Sequence, residues 1–111
     1  MSKTDVIHES GKRKTAYARA TLKEGKGEIR INSMPLENYE DELTQLRIKE
    51  PIIIAKDFVD AGKLNIIINV RGGGKSGQVN AIKTAISRAL ISYAAKKKKG
   101  EELKARLVEY D

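Results

Sequence analysis

Residues 63–78 read Lys63-Leu64-Asn65-Ile66-Ile67-Ile68-Asn69-Val70-Arg71-Gly72-Gly73-Gly74-Lys75-Ser76-Gly77-Gln78. Stiff β-branched side chains pack well on a pleated surface. The nearly unbroken run of Ile66, Ile67, Ile68 and Val70 therefore predicts a central strand over Lys63 to Val70, buried on both faces. Three consecutive glycines after Arg71 must end that strand. Beyond them Val79, Ile82, Ala85, Ile86, Ala89, Leu90 and Tyr93 recur at steps of three and four, the apolar stripe of the longest helix, running from Gln78 onward. Lys83, Ser87 and Arg88 fall off that stripe.

Upstream, Lys14 to Leu22 alternates strictly. Ala16, Ala18, Ala20 and Leu22 lie on one side and Thr15, Tyr17, Arg19 and Thr21 on the other, as in a half-buried strand. Gly25-Lys26-Gly27 supplies a turn to Glu28-Ile29-Arg30-Ile31, so the first third reads as a hairpin of these two segments. Val6 and Ile7 suggest a short edge strand closed by Glu9-Ser10-Gly11. Leu36 to Glu50 places apolar residues at 36, 39, 43, 46 and 48, close to helical spacing, so short helices are expected, with Pro51 discouraging continuation. Pro51 can open a further helical turn over Ile52 to Val59, although Ile52-Ile53-Ile54 also reads as strand. Lys96 to Lys99 complement the dipole at the end of the long helix, Gly100 is a plausible stop, and Glu101 to Val108 reads as a last helical segment.

At 111 residues the chain suits one domain with a single core. It carries 22 Lys and Arg against 15 Asp and Glu, a formal charge of +7, which is the footprint of a polyanion binder. The charge is segregated: the two ends are positive, while residues 31–70 hold four basic and seven acidic side chains. Such a division suggests one face for nucleic acid and another for solvent or protein. Zero Cys removes disulfide scaffolds and thiolate metal sites, and the single His8 cannot build a zinc centre or, with no nucleophile singled out beside it, a catalytic constellation. No metal, cofactor or catalytic residue is expected. The N-terminus lacks a signal-like apolar stretch and no run approaches a membrane span, so a cytoplasmic, soluble protein is expected.

Strand, Gly72-Gly73-Gly74-Lys75-Ser76 and helix invite comparison with the phosphate-binding loop of nucleotide hydrolases. That motif needs a glycine five positions before Gly74, and position 69 is Asn. A flexible linker is the plain alternative. The preferred reading is a backbone concavity at a helix N-terminus that, with Lys75, suits an anionic oxygen; in a chain this basic, an RNA phosphate fits better than a nucleotide. Gly11-Lys12-Arg13-Lys14, followed by Tyr17 and Arg19, mixes point charges, forked donors and an aromatic platform, which suits folded RNA read through backbone, shape and splayed bases. The alternative is a solvated basic loop. Glu37, Glu40, Asp41 and Glu42 read as a solvated helix face in preference to a cation site, because helical geometry spreads them around the axis.

Taken together, Gly11-Lys12-Arg13-Lys14-Thr15-Ala16-Tyr17-Ala18-Arg19-Ala20, the Ile31-Asn32 turn leading to Pro35-Leu36-Glu37-Asn38-Tyr39, and Gly72-Gly73-Gly74-Lys75-Ser76-Gly77-Gln78 running into the helix resemble one family over nearly the whole chain. It is the ninth-protein family of the small ribosomal subunit, in its archaeal and eukaryotic-cytosolic style. The resemblance implies an α+β domain. Its mostly antiparallel four-stranded sheet would be backed by helices with a left-handed crossover, as in the second domain of the fifth small-subunit protein, an exception to the usual handedness. It also implies a place on the ribosome, in the subunit head, against 16S-type ribosomal RNA and neighbouring head proteins.

Carried to matching positions, the RNA-binding residues expected are Lys12, Arg13, Lys14, Tyr17 and Arg19 from the first motif. Arg71, Gly72, Gly73, Gly74, Lys75, Ser76 and Gln78 come from the second, and Lys83 and Arg88 from the helix. Family members normally continue into a Lys/Arg-rich tail that reaches the peptidyl-site transfer RNA. This sequence stops at Leu107-Val108-Glu109-Tyr110-Asp111, so no transfer RNA contact is expected of any residue here. Two other functions remain open on these residues: a small nucleotide-binding or phosphotransfer protein using Gly74-Lys75-Ser76, and a protein–protein adaptor using the acidic middle segment.

Overall fold

The structure, a computed structural model, describes residues 6–96 and Leu107. Its strands are β1 (Val6–Arg13), β2 (Ala16–Glu24), β3 (Ile29–Ile31), β4 (Met34–Pro35) and β5 (Leu64–Arg71); its helices are α1 (Glu42–Ile54) and α2 (Lys75–Lys96). Single 3-10 turns occupy Leu36–Asn38, Ala55–Asp57 and Ala61–Lys63. The sheet order is β1-β2-β5-β3-β4, antiparallel at every pairing but β3 with β5. The chain between those two parallel strands crosses through α1. This is the α+β class expected, consistent with the second domain of the fifth small-subunit protein, with five strands in place of four because the two-residue β4 adds an edge.

Four local expectations change. The hairpin is β1–β2, with Arg13 opposite Ala16, and β5 lies between β2 and β3, so Lys14–Leu22 and Glu28–Ile31 are not paired. Accordingly β1 runs through Glu9-Ser10-Gly11 as an eight-residue edge strand. Second, β5 is the middle strand but buries one face: Leu64, Ile66, Ile68 and Val70 are buried, whereas Asn69 and Arg71 are exposed. Among the described residues helices cover the sheet from one side only, so alternation with Asn65 and Asn69 outweighs the apolar run. Third, α1 passes through Pro51, which is buried within it; a proline costs one helical hydrogen bond, and packing overrides that loss. Fourth, α2 begins at Lys75, three residues earlier than Gln78, because the Gln78 amide already donates to the Gly74 carbonyl at 2.9 Å, making Gly74 the N-cap. Helical structure does continue through Ile52–Ile54 and the 3-10 turn after it.

The core lies between the sheet and α2. Every residue of the α2 stripe named above is buried, as are Ala16, Ala18, Ala20 and Leu22 of β2. The small alanine face lets the helix approach closely, and α1 packs against α2. At about 1.5 Å per residue the 22 residues of α2 extend about 33 Å, nearly the full 36 Å of the domain. Asn32, at φ 52°, completes the β3 edge by side-chain mimicry of a ladder: its Oδ1 accepts from the Val70 amide at 2.8 Å and its Nδ2 donates to the Val70 carbonyl at 3.1 Å. Lys97–Lys99, Gly100 and the expected helix from Glu101 lie outside the described residues, apart from Leu107, which is helical and buried.

Candidate nucleic-acid interface

With helices on one face, the other face of the sheet is left open by the described residues, and strand register decides what stands on it. Directly opposite residues of paired strands share a face. Lys12 faces Tyr17 and Tyr17 faces Arg71, which makes one row across β1, β2 and β5; the next row is Ser10, Arg19 and Asn69. The Arg71 guanidinium carbon lies 5.6 Å from the Tyr17 ring centroid, within cation–π range. Tyr17 is 37% exposed, so its ring is held in place from one side and accessible from the other. Lys23 and Arg30 stand on the same face, Lys23 opposite Val6 and Arg30 opposite Ile67. Sequence reading passed over both. Lys23 continues the Tyr17, Arg19, Thr21 alternation by one more step, whereas Arg30 needed the β3–β5 pairing; it is also tied to Glu28 and to the Ser33 carbonyl.

The two recognised motifs meet at one end of this sheet. Gly72 and Gly73 have φ 74° and 66°, the left-handed region that glycine enters without a Cβ penalty. They also sit hard against the β1–β2 turn: a Cβ on Gly72 would stand 2.4 Å from the Thr15 carbonyl oxygen, and one on Gly73 would stand 2.8 Å from the Ala16 Cβ. Tight seating, and not flexibility, explains these two glycines. Gly74 differs, since nothing lies within 4 Å of where its Cβ would be. The loop is tied down by the Gln78 side chain, whose Nε2 donates to the Gly72 carbonyl at 3.1 Å, so Gln78 braces the bend. Exposed Ser76 lies in the first turn of α2. Lys14, at the hairpin tip, is held at φ 56°.

Lys75 is engaged by carboxylates. Its Nζ lies 3.4 Å from Asp41 Oδ2 and 3.7 Å from Glu40 Oε2, so the acidic segment reaches the start of α2. Asp41 is also the N-cap of α1, with Oδ1 accepting from the Thr44 amide at 2.8 Å. Hydrogen bonding from Thr44 holds the Asp41 carboxyl down at about 2, with Lys75 adding less. Burial, with the Glu40 charge as a smaller influence, raises the Tyr39 phenol. The cations of the first motif and the loop thus share their end of the sheet with two acids.

Arg13, Lys83 and Arg88 are elsewhere. Arg13 pairs with Ala16 and so points to the helical side. The three line a groove of about 280 Å³ between α1, α2 and the β1–β2 hairpin, with Asn80 and Ser87 among the polar groups and Pro51 and Leu107 among the apolar ones. There Lys83 Nζ is 3.5 Å from Glu50 Oε1, and Arg88 Nη1 donates to the Ser10 carbonyl at 2.8 Å. The expected set therefore divides between an open sheet face with its loop end (Lys12, Lys14, Tyr17, Arg19, Arg71, Gly72, Gly73, Gly74, Lys75, Ser76 and Gln78) and a groove behind it (Arg13, Lys83 and Arg88).

Comparison with known proteins gives this geometry a family. Residues 11–111 match the family model described as "Ribosomal protein S9/S16". Relatives include "Small ribosomal subunit protein uS9" of Methanothrix thermoacetophila, 42% identical over 106 residues that cover 96% of this chain and 76% of that protein. The protein of the same description from Methanococcus vannielii is 41% identical over 96% of this chain and 75% of its own length. A match running from Gly11 through the glycine bend and the long helix takes in both motifs of the interface, and the chain belongs to the S9 family of ribosomal proteins.

Proposed function

We propose that this protein is a structural constituent of the small ribosomal subunit, without catalytic activity, and that it binds 16S-type ribosomal RNA in the subunit head through the open sheet face and the adjoining loop end. The observation that carries the reading is the row of Lys12, Tyr17 and Arg71 beside Arg19 on an uncovered sheet. Arg71 and Arg19 supply forked donors for phosphate and 2′-hydroxyl groups. Tyr17, propped by Arg71, offers a stacking surface to a splayed base. Gly74 leaves room for a sugar-phosphate backbone to approach the start of α2, where unpaired helical amides and Ser76 favour an anion. Exposed Lys14, at the tip of the hairpin that the glycine bend packs against, adds a cation to this end. Arg13, Lys83 and Arg88 make the groove a second contact for the same RNA, reached around the hairpin. Family membership, together with the carboxylates holding Lys75, weighs against the nucleotide-binding alternative.

The test is fluorescence anisotropy with a fragment of small-subunit head RNA across a salt series. Affinity should fall steeply with salt, and Arg19→Ala or Arg71→Ala should each weaken binding and lower the log–log slope by about one. Tyr17→Ala should cost about 1–3 kcal/mol with little change in slope. Salt-independent binding, or wild-type affinity in these folded variants, would remove the proposal.

A further inference from the structure

Helix α1 is apolar on two sides. Thr44, Ile48 and Pro51 face the core and are buried, yet on the opposite side Leu43, Leu46 and Ile53 are exposed at 68%, 55% and 55%. At 100° per residue, positions 46 and 53 lie within about 20° of each other, with 43 close by, so the three form one outward stripe. Single exposed aliphatics are ordinary, but an aligned group on one rigid helix marks a contact surface. Its surroundings say what covers it. Glu37, Glu40, Asp41 and Glu42 gather at the N-terminal end of the stripe, within residues 31–70, which hold four basic and seven acidic side chains, while Arg47 and Lys49 flank it further along the helix. Glu40 and Asp41 are shared with Lys75, whereas neither Glu37 nor Glu42 has a charged partner among the described residues. Phosphates are repelled from that acidic end, and aliphatic side chains offer them nothing, so RNA is a poor occupant of the stripe where it starts.

We infer that the outward face of α1 docks a neighbouring protein of the subunit, through a segment that sets aliphatic side chains on Leu43, Leu46 and Ile53 and a Lys or Arg against Glu37 and Glu42. The inference rests on the proposed ribosomal role and adds a partner class and a surface that the RNA reading does not use. The domain then offers RNA the sheet face and the groove behind the hairpin, and protein the outward face of α1. Charge segregation along the chain becomes the physical basis for keeping the two apart.

The experiment places the photo-crosslinking residue p-benzoylphenylalanine at position 46, and separately at position 17, in the full chain reconstituted into small ribosomal subunits. Position 46 should crosslink to a peptide of another ribosomal protein carrying Lys or Arg beside aliphatic residues, and position 17 to RNA. A crosslink from position 46 to RNA or to a second copy of this chain, or none while position 17 reacts, overturns the docking surface and leaves the RNA reading standing. A chain that never enters subunits overturns both. In parallel, the triple variant Leu43→Ser, Leu46→Ser, Ile53→Ser should keep wild-type thermal stability and RNA affinity but load into subunits at least tenfold less well, since covering even one such aliphatic side chain is worth about a factor of ten. Wild-type loading of that variant also counts against the surface.

Discussion

Replacing Gly11 by alanine tests how β1 meets α2. Gly11 is buried inside β1, and an added Cβ would stand 2.5 Å from the Ala81 carbonyl oxygen, 2.7 Å from the Ala85 amide nitrogen and 2.9 Å from the Thr84 Cβ. Two of those atoms belong to the backbone of a 22-residue helix and cannot rotate away, so the strand or the helix must move. Overpacking of this kind costs about 1–3 kcal/mol. Against it stands the entropy that glycine loses on folding, worth about 0.5–1 kcal/mol in favour of alanine. With contacts this short on backbone, the clash wins, and Gly11→Ala should lose about 2 kcal/mol. In a domain of this size that lowers the melting midpoint by about 8 °C or more, read by circular dichroism and by urea titration. Gly74→Ala is the internal control, since its Cβ would enter open space; its cost should stay within about 1 kcal/mol. Wild-type stability of Gly11→Ala would refute the close seating of β1 on α2 and return Gly11 to a mobile basic loop.

Lys14 holds the left-handed conformation at φ 56°, which costs a non-glycine residue about 1–2 kcal/mol. Lys14→Gly should therefore stabilise the fold by up to about 1 kcal/mol, read as a higher urea midpoint, while flattening the salt dependence of RNA binding by about one; a loss of stability would show that the Lys14 side chain contributes by packing. Asp41 titrates near 2 in the folded protein against an ordinary value of 3.8. A depressed carboxyl contributes stability that is complete above the unfolded value and disappears as pH falls from about 3.8 toward 2. Asp41→Asn, which keeps a cap acceptor, should flatten the acid limb of a stability–pH curve over that window; an unchanged limb would sink the assignment.

Much of the fold follows from local pattern. The alternation around Ala16 to Leu22, the stripe from Val79 to Tyr93 and the glycine bend each state their own structure, because side-chain period is set by backbone geometry within a few residues. The ordered succession of motifs carried the family as well. The charge division of the chain, positive ends around a negative middle, was likewise plain from residue types alone, and it reappears as the separation between the sheet face and α1. What residue types could not decide was which strands become neighbours. Pairing is a contest among segments distant in sequence, and β5 wins the place beside β2 that proximity assigned to β3, since its four alternate apolar residues match the buried side of β2 along its length. That choice puts Arg71 beside Tyr17, adds Lys23 and Arg30 to the open face, turns Arg13 into the groove with Lys83 and Arg88, and brings Glu40 and Asp41 onto Lys75. A chain's own sequence determines which side chains are available and at what period they project; register and helix placement, which depend on the free energy of burying one whole surface against another, decide which of them share a face.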